Sequence, residues 1–407
     1  MHRTRLFTQH LPSFGWEPII LTVHEDFYEE QLDWELHSLL PKDQRIEKVS
    51  AYTISRPRLI GDIGLRAFFH LRKRALELIQ SEKIDFVYIP IPSFYTALIG
   101  PYLYKKTGVP YGIDYIDPWV HQFPGSNKLF SRHWFSTQLA KILEPIAVKH
   151  ASLITGVSEG YYTPVLDRNP HLKKQAITAA MPYGGEFQDH QKLKALKLKP
   201  FLFHENNKFK FVYAGALLPH SVKILEELFK TISLDLPFFS QFEFYFIGTG
   251  KKVLSKFEFS VKRFAEKYNI WESIIFEYPN RLNYLDVLAH LEAANGIFIL
   301  GSTEIHYTPS KIFQSLLAKK KIFALLHTSS SAVKLIEKYN AGVSLLFNGE
   351  YDLNTIKDYL KIKMTEYLDM KLDSSSISIN DFNSNEYSAY SITSMLSNKL
   401  NYLYNHD

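Results

Sequence analysis

The segment 308–314 has residue types that suit a binding site for an anion. It begins Thr308-Pro309-Ser310-Lys311 and follows an apolar stretch. Threonine is a common helix N-cap and proline suits the first helical position, so we expect a helix to begin at Pro309. The N–H groups of Ser310 and Lys311 would then be free at the positive end of the helix dipole, where anions bind. Lysine is disfavoured in a first turn, so Lys311 indicates an anion there; a solvated lysine is the alternative.

Glycines end two other predicted strands. Gly215 follows Tyr213-Ala214, and Lys223 falls in the first turn of the helix expected next. Gly248 opens the sequence Gly-Thr-Gly-Lys, which lacks both the ending of a Walker A loop and the third glycine of a dinucleotide fingerprint. Glycine lets a backbone approach a ligand closely. The alternative at both places is an ordinary tight turn.

Asp117 ends a further predicted strand, in the sequence Asp114-Tyr-Ile-Asp117-Pro-Trp. Such a carboxylate can contact a substrate or act as an acid or base, and a turn aspartate before proline is the alternative. The sequence contains no Asp-x-Asp pair, no His-Glu-x-x-His and no Gly-x-Ser-x-Gly. We therefore expect no metal site and no serine-hydrolase elbow.

Two runs of alternating strands and helices are predicted to position these residues. Short apolar strands that alternate with helices indicate parallel sheets covered on both faces, in two Rossmann-like domains. Such sheets bind ligands at the carboxyl ends of their strands, so the cleft between the domains is the expected site. The predicted strands are 18–23, 86–91, 111–115, 153–157, 177–182, 209–213, 242–247, 274–276, 296–300, 322–326 and 343–346. The predicted helices are 5–11, 60–79, 93–104, 129–150, 221–233, 253–268, 282–291, 309–317, 332–339 and 388–402.

The expected domains are residues 1–200, on the acceptor side, and 201–384, on the donor side. A last helix within 385–407 could pack back on the first domain. The lysine-rich stretch 192–199 is expected to be a solvated linker.

Composition excludes several classes of protein. The chain has no cysteine, which rules out disulfides and cysteine–zinc sites and fits a reducing compartment. A net charge of +5 over 407 residues is too small for a dedicated nucleic-acid binder. The uncharged stretch 86–104 contains three prolines, so a strand and a helix are favoured over a membrane span. We expect a cytoplasmic protein.

In their order and spacing, several segments resemble the GT-B glycosyltransferases, in particular family 4, the retaining enzymes that use nucleotide-activated sugars. The resemblance covers nearly the whole chain. The segments that carry it are Phe14-Gly-Trp-Glu-Pro18 with Leu21-Thr-Val23, Gly108-Val-Pro110 with Asp114 and Asp117-Pro-Trp119, Leu153 to Glu159, Pro182 with Gly184-Gly185, Tyr213-Ala-Gly215, and Thr308 to Gln314.

This resemblance implies a nucleotide-sugar donor bound by the C-terminal domain and an acceptor bound by the N-terminal domain, without a metal or other cofactor. Charge on the leaving group would be stabilised by Lys223, Lys311 and helix N-termini, and Asp117 would contact the acceptor or the donor sugar. The residues implied to bind the donor are Gly215, His220 and Gly248 near the diphosphate, Arg281 and Leu282 beside the base, Glu304, His306, Thr308 and Ser310 around the phosphates and sugar, and Gln314 at the ribose.

The chain departs from the family pattern at several positions. Gln314 stands where the family usually has Glu, and His306 stands where its partner Glu is expected, with Glu304 close by. The usual phosphate-binding Arg and Lys are reduced to Lys223, helped by His220. The first strand and glycine-rich loop of the family are not found, so we expect that the sequence starts about twenty residues late.

The expected function is transfer of a sugar, of hexosyl type and with retention, from a nucleoside diphosphate sugar to a hydroxyl acceptor in cell-surface polysaccharide or glycolipid synthesis. A non-catalytic nucleotide-sugar-binding GT-B protein and a nucleotide-sugar epimerase are the alternatives. The segment 127–150 mixes basic and large apolar residues. It could lie on the inner face of a membrane, where lipid-linked acceptors reside; an ordinary domain helix is the alternative.

Overall fold

The chain forms two compact units. The computed structural model describes residues 2–29, 32–53, 62–91, 93–120, 128–253, 256–304, 307, 309, 311–371 and 386–406. The first unit comprises Met1–Trp34, Leu40–Tyr183 and Ala389–Asp407, and the second comprises Glu35–Leu39 and Gly184–Ser388. The stretch 184–200 therefore belongs to the second unit, whereas the sequence-based boundary placed it in the first.

The first unit contains a four-stranded parallel sheet in the order β3-β4-β5-β6 and a separate parallel pair, β1-β2. The strands are β1 (Ile20–Val23), β2 (Ile46–Val49), β3 (Val87–Ile91), β4 (Tyr111–Tyr115), β5 (Leu153–Gly156) and β6 (Ile177–Ala180). The helices are α1 (His2–Thr8), α3 (Ile63–Ser81), α4 (Ile99–Thr107), α5 (Arg132–Val148), α6 (Glu159–Arg168) and α7 (Leu172–Gln175). Helix α2 (Trp34–Ser38) follows β1 in the chain, and all of it except Trp34 is assigned to the second unit. All residues of β4 and β5 are buried, as expected for inner strands of a parallel sheet.

The N-terminal helix is fixed to this sheet by a buried ion pair. The guanidinium of Arg3 donates to both carboxylate oxygens of Asp114 on β4, at 2.5 and 3.0 Å, and to the carbonyls of Met181 and Pro182. Asp114 also accepts from the hydroxyl of Thr155 on β5. Both charges are fully paired, which buried charges require.

The second unit contains a six-stranded sheet in the order β11-β8-β7-β12-β13-β14, with every neighbouring pair parallel. Its strands are β7 (Phe209–Ala214), β8 (Phe242–Ile247), β11 (Ile275–Tyr278), β12 (Gly296–Leu300), β13 (Lys321–His327) and β14 (Gly342–Phe347), and β9 (Lys251–Val253) pairs antiparallel with β10 (Lys256–Glu258). The helices are α8 (Phe187–Leu196), α9 (Val222–Leu234), α10 (Leu236–Phe239), α11 (Lys262–Lys267), α12 (Tyr284–Ala293), α13 (Ile312–Leu317), α14 (Ser331–Lys338) and α15 (Asn354–Asp369). A core rich in phenylalanine lies against this sheet. The predicted α/β architecture with parallel sheets is confirmed.

The last helix, α16 (Ala389–His406), is part of the first unit. Its buried Ile392, Leu396 and Leu400 share an apolar cluster with Phe7 of α1. The hydroxyl of Thr393 is within hydrogen-bond distance of the Leu6 carbonyl. The two ends of the chain therefore pack together.

The structure corrects the predictions for two segments, 253–268 and 192–199. The helix predicted at 253–268 is replaced by the antiparallel strands β9 and β10 and the short α11. The buried Glu277 carboxylate accepts from the N–H groups of Ser260, Val261 and Lys262 and so sets the start of α11. The predicted solvated linker at 192–199 includes the second half of α8. Its lysines are solvated, but its other face is buried at Leu193.

The apolar stretch 86–104 forms β3, a short 3₁₀ turn and most of α4. Within the described part of the chain, no helix has the length and apolar character needed to cross a membrane.

Candidate functional site

The carboxyl end of the second sheet brings together three residues predicted to bind the donor. Gly215 directly follows β7, Gly248 directly follows β8, and Arg281 lies shortly after β11. A Cβ added at Gly248 would lie 3.9 Å from the Cα of Arg281 and 4.0 Å from that of Gly215. Gly215 has φ 130° and Gly248 has φ 72°, values that favour glycine. The glycines thus leave a surface of bare backbone at this edge.

Lys311 lies over that surface. Its Nζ and Cε are so close to Gly215 that a Cβ there would collide with both. Nζ is 4.6 Å from the centroid of the Tyr213 ring, a cation–π contact. Among the described residues, the ammonium has no hydrogen bond or ion pair. Burial lowers the pKa of Lys311 to about 7, and a nearby anion would raise it again.

The loops after β7 and β12 are joined beside this lysine. The Ser221 hydroxyl donates to the Gly301 carbonyl at 2.5 Å, and Thr303 N–H donates to the His220 carbonyl at 3.2 Å. The imidazole of His220 is 4.0 Å from the Glu304 carboxylate, and both side chains are partly exposed. His220 and Glu304, two predicted donor-binding residues, therefore lie together.

Lys223 is placed differently from Lys311. Its ammonium pairs with the Glu350 carboxylate, and 64% of its side chain is exposed. An exposed pair of this kind contributes little to stability. Lys223 would have to exchange Glu350 for a phosphate in order to play the predicted role.

The segment around Arg281 and Leu282 joins β11 to α12. Arg281 is exposed and Leu282 is partly buried. The N–H of Gly248 donates to the carbonyl of Tyr278, which ties this segment to the end of β8. The base-binding role of Arg281 and Leu282 stays a prediction.

The region before α13 is described only in part. His306, Thr308 and Ser310 lie outside the described residues, so their predicted roles remain untested. The prediction that the helix begins at Pro309 is wrong, since α13 begins at Ile312. Ile312 N–H bonds to the Pro309 carbonyl three residues back, and the tighter turn this forms delays the regular helix.

Gln314 lies on α13 and is buried. Its Oε1 is 3.1 Å from Nε2 of His190 on α8, and Nδ1 of that ring is 2.7 Å from the carboxylate of Glu292 on α12. Sequence reasoning missed His190 and Glu292, because they lie 124 and 22 residues from Gln314 and nothing local marks them. The spacing of apolar residues in α8 could have indicated a helix around His190, but the lysines of the same stretch favoured a solvated linker.

Asp117 belongs to the first unit. It follows β4, is exposed, and precedes Pro118 and the buried Trp119. Trp119 stacks on Phe94 with ring centroids 5.8 Å apart. Asp114, three residues earlier, is buried and bound by Arg3 and Thr155, whereas the side chain of Asp117 is exposed.

Within the described residues, no group of three or more His, Asp or Glu side chains could hold a metal ion.

No protein-family model and no curated protein sequence matches the chain. Solved structures do match it. A glycosyltransferase from Rickettsia africae aligns with TM-score 0.61 and 14% identity, covering 100% of this chain and 95% of its own. HepE from Anabaena, in complex with UDP, aligns with TM-score 0.62 and 12% identity, covering 98% and 96%. The chain has the GT-B fold. A UDP-forming α,α-trehalose-phosphate synthase from Burkholderia xenovorans also aligns, with TM-score 0.56 and 12% identity over 83% of this chain and 79% of its own.

The two units of the chain are thus the two Rossmann-like domains of a GT-B protein. Gly215, Gly248 and Lys311 lie at the carboxyl end of the strands of the second, where sheets of this kind bind ligands. At such low identity the likeness shows the fold, and the function has to be argued from the residues.

Proposed function

We propose that the chain is a glycosyltransferase that binds a nucleoside diphosphate sugar in its second unit. The observation that carries this proposal is the Lys311 ammonium, which lies over the bare backbone of Gly215 without a hydrogen bond or ion pair among the described residues. A partly buried cation without a partner is costly. A diphosphate at this strand edge would supply the missing negative charge.

UDP-glucose is the first donor to test. The HepE structures are in complex with UDP, with UDP and glucose, and with UDP-glucose, and the Burkholderia synthase is UDP-forming. These ligands belong to those proteins, and they come to this chain as a hypothesis that its similar fold supports.

In the proposed reaction, the bond between the anomeric carbon and the diphosphate breaks, and the acceptor oxygen forms a new bond to that carbon. The acceptor hydroxyl loses its proton. The nucleoside diphosphate leaves with an additional negative charge, which Lys311 would stabilise, helped by Lys223 if that side chain leaves Glu350. Asp117 would contact the acceptor or the sugar, and the resemblance to family 4 favours retention and a hexosyl group. No metal is needed in this scheme.

A non-catalytic nucleotide-sugar-binding protein is the second candidate. Gln314 in place of the expected Glu favours it, because an amide can hydrogen-bond to a hydroxyl but carries no charge. Binding of UDP-glucose without transfer or hydrolysis would support this candidate.

The test is transfer of radiolabelled glucose from UDP-glucose to sugar and lipid-linked acceptors. Lys311→Met should lower the rate at least about 100-fold, as expected when a charge that faces the leaving group is lost. Lys334→Met is the matched control, because Lys334 is an exposed lysine of α14. Full activity of the Lys311 variant would overturn the assigned site.

We also propose that α5 lies on an anionic membrane surface. Four large apolar side chains, Phe135, Leu139, Ile142 and Ile146, are exposed along one face of this helix. The preceding Phe130 is exposed too, and its φ of 61° is rare for an aromatic residue. Large apolar side chains that are exposed next to one another are typical of interaction surfaces.

Charge favours a bilayer over another partner for this helix. Lys128, Lys141 and Lys149 are exposed, and the only acidic residue from 128 to 149, Glu144, is buried and paired with Arg168. An apolar stripe that is flanked by lysines and has no exposed acidic residue beside it on this helix suits anionic lipids. This placement would bring lipid-linked acceptors to the first unit.

Vesicle co-sedimentation tests the membrane proposal. Ile142→Glu should abolish binding to vesicles that contain phosphatidylglycerol. Ile362→Glu is the control, because Ile362 is 60% exposed and Ile142 is 64% exposed, and Ile362 lies on α15 of the other unit. Equal binding by both variants would contradict a role for α5.

A further inference from the structure

Three side chains form a hydrogen-bonded chain in the second unit, the Glu292–His190–Gln314 relay. The carboxylate of Glu292 is 2.7 Å from Nδ1 of His190, and Nε2 of the same ring is 3.1 Å from Oε1 of Gln314. His190 is 3% exposed and Gln314 is 8% exposed, so water competes little with these bonds. The residues come from three different helices.

The relay fixes which way the Gln314 amide faces. Nδ1 of His190 lies against the Glu292 carboxylate, and Nε2 lies against Oε1 of Gln314. The oxygen of Gln314 is committed to His190, and the amide nitrogen points away from the ring.

The amide nitrogen of Gln314 is the unused end of the relay. It is buried and has no hydrogen-bond partner among the residues that the structure describes. An unpaired buried donor is rare and costly in native proteins. Gln314 lies three residues after Lys311, on the helix that begins directly behind that lysine. Residues three apart along a helix are neighbours on its surface, so a ligand held by Lys311 would lie near Gln314.

We propose that His190 and Glu292 are positioning residues that hold the Gln314 amide so that its nitrogen donates to a hydroxyl oxygen of the nucleotide sugar. This inference rests on the proposed function. Both the ribose and the transferred sugar carry such uncharged oxygens next to the diphosphate. Since the nitrogen is buried, the residues that cover it shift when the hydroxyl arrives.

Asp189 provides a matched control on the same helix. Its carboxylate accepts from the Tyr284 hydroxyl at 2.8 Å, so it also ties α8 to α12, and it is as buried as His190. Asp189→Ala therefore loosens the same helix without touching the relay. It separates a positioning role of His190 from a general role in packing.

The experiment is calorimetric titration of UDP and of UDP-glucose into the full chain and its variants His190→Ala, Gln314→Ala, the double variant and Asp189→Ala. His190→Ala and Gln314→Ala should each weaken binding about 3- to 10-fold, the value of one hydrogen bond to a neutral group. The double variant should lose no more than either single variant, because His190 acts through Gln314. Asp189→Ala should bind like wild type.

The two ligands show which hydroxyl the Gln314 amide contacts. If the His190 and Gln314 variants bind UDP more weakly than wild type, the hydroxyl belongs to the ribose. If they bind UDP like wild type but bind UDP-glucose more weakly, the hydroxyl belongs to the transferred sugar. Thermal unfolding is followed in parallel, and Glu292→Gln, at the partly exposed end of the relay, gives a milder variant with the same expected direction if His190→Ala does not fold.

Wild-type affinity of the His190 variant for both ligands would overturn the inference, as would additive losses in the double variant or an equal loss in Asp189→Ala. A folded wild-type chain that binds neither ligand overturns the proposed function, and the inference with it. If wild type binds the ligands and the relay variants bind them with the same affinity, the inference is overturned and the proposed function stands.

Discussion

The ammonium of Lys311 occupies the space that a side chain at position 215 would fill. Gly215 is favoured by its φ of 130°, and a side chain there would displace the Lys311 ammonium. The contact joins the end of β7 to the segment before α13, two places almost a hundred residues apart in the sequence. Gly215 and Lys311, which the sequence indicates as two separate candidates, therefore belong to one site.

Gly215→Ala should weaken UDP-glucose binding at least about tenfold. The new methyl group displaces the Lys311 side chain from the strand edge, and the loss of one charged contact to the diphosphate corresponds to about 1.5–3 kcal/mol. Calorimetric titration measures this directly. Gly108→Ala is the control, since Gly108 also has a positive φ but a Cβ there meets nothing within 4 Å. Equal affinities of the two variants would show that Lys311 does not bind the donor.

Binding of UDP-glucose should be coupled to proton uptake above pH 7. The pKa of Lys311 is lowered by burial to about 7, so at pH 8 most of the lysine is neutral. The diphosphate favours the ammonium form and raises this pKa. Complex formation at pH 8 must then draw a proton from the buffer, and affinity must fall as the pH rises above 7. Titrations at pH 8 in two buffers of different ionisation enthalpy measure the number of protons taken up.

UDP-glucose is the right ligand for that measurement, because its diphosphate has no group that titrates near neutrality. Lys311→Met should remove the buffer dependence, and Lys334→Met should keep it. A binding enthalpy that is the same in both buffers for wild type would contradict the placement of the diphosphate beside Lys311.

Much of the fold follows from local patterns. The strands β4, β8 and β12 have the bounds that their apolar runs predict, because inner strands of a parallel sheet must be apolar on both faces. The sequence also indicates Gly215, since a glycine at a strand end lets the backbone approach a ligand closely, and Lys311, since a lysine is disfavoured in the first turn of the helix predicted there.

The remaining features of the fold and of the site depend on contacts between residues that lie far apart in the sequence, which local patterns do not predict. The His190 ring meets Glu292 and Gln314 across 102 and 124 residues. The start of α11 at Lys262, well inside the predicted helix 253–268, is set by one buried carboxylate from β11. In each case a tertiary hydrogen bond outweighs the local pattern.

Arg3→Met should destabilise the first unit by about 3–5 kcal/mol, because it leaves Asp114 buried without its partner. Differential scanning calorimetry should show a lower unfolding temperature. The double variant Arg3→Met/Asp114→Asn should recover much of the loss, since it removes the charge as well as its partner. A double variant that is no more stable than Arg3→Met would argue against an uncompensated charge as the cause.

Glu277→Gln should loosen the segment that leads into α11. The Glu277 carboxylate accepts from the Thr249 hydroxyl and from the N–H groups of Ser260, Val261 and Lys262, at 2.6–2.9 Å. Glutamine offers one acceptor oxygen and sets an NH₂ against these donors, so the expected loss is about 3 kcal/mol, within the range for bonds to a charged group. Hydrogen exchange followed by mass spectrometry should show faster exchange in peptides that cover 260–262. The exposed Glu258 gives the control, and Glu258→Gln should exchange like wild type.

Glu277→Gln should also weaken UDP-glucose binding, because Thr249, which donates to this carboxylate, follows Gly248 directly. Unchanged affinity would show that the Glu277 carboxylate does not support the donor site.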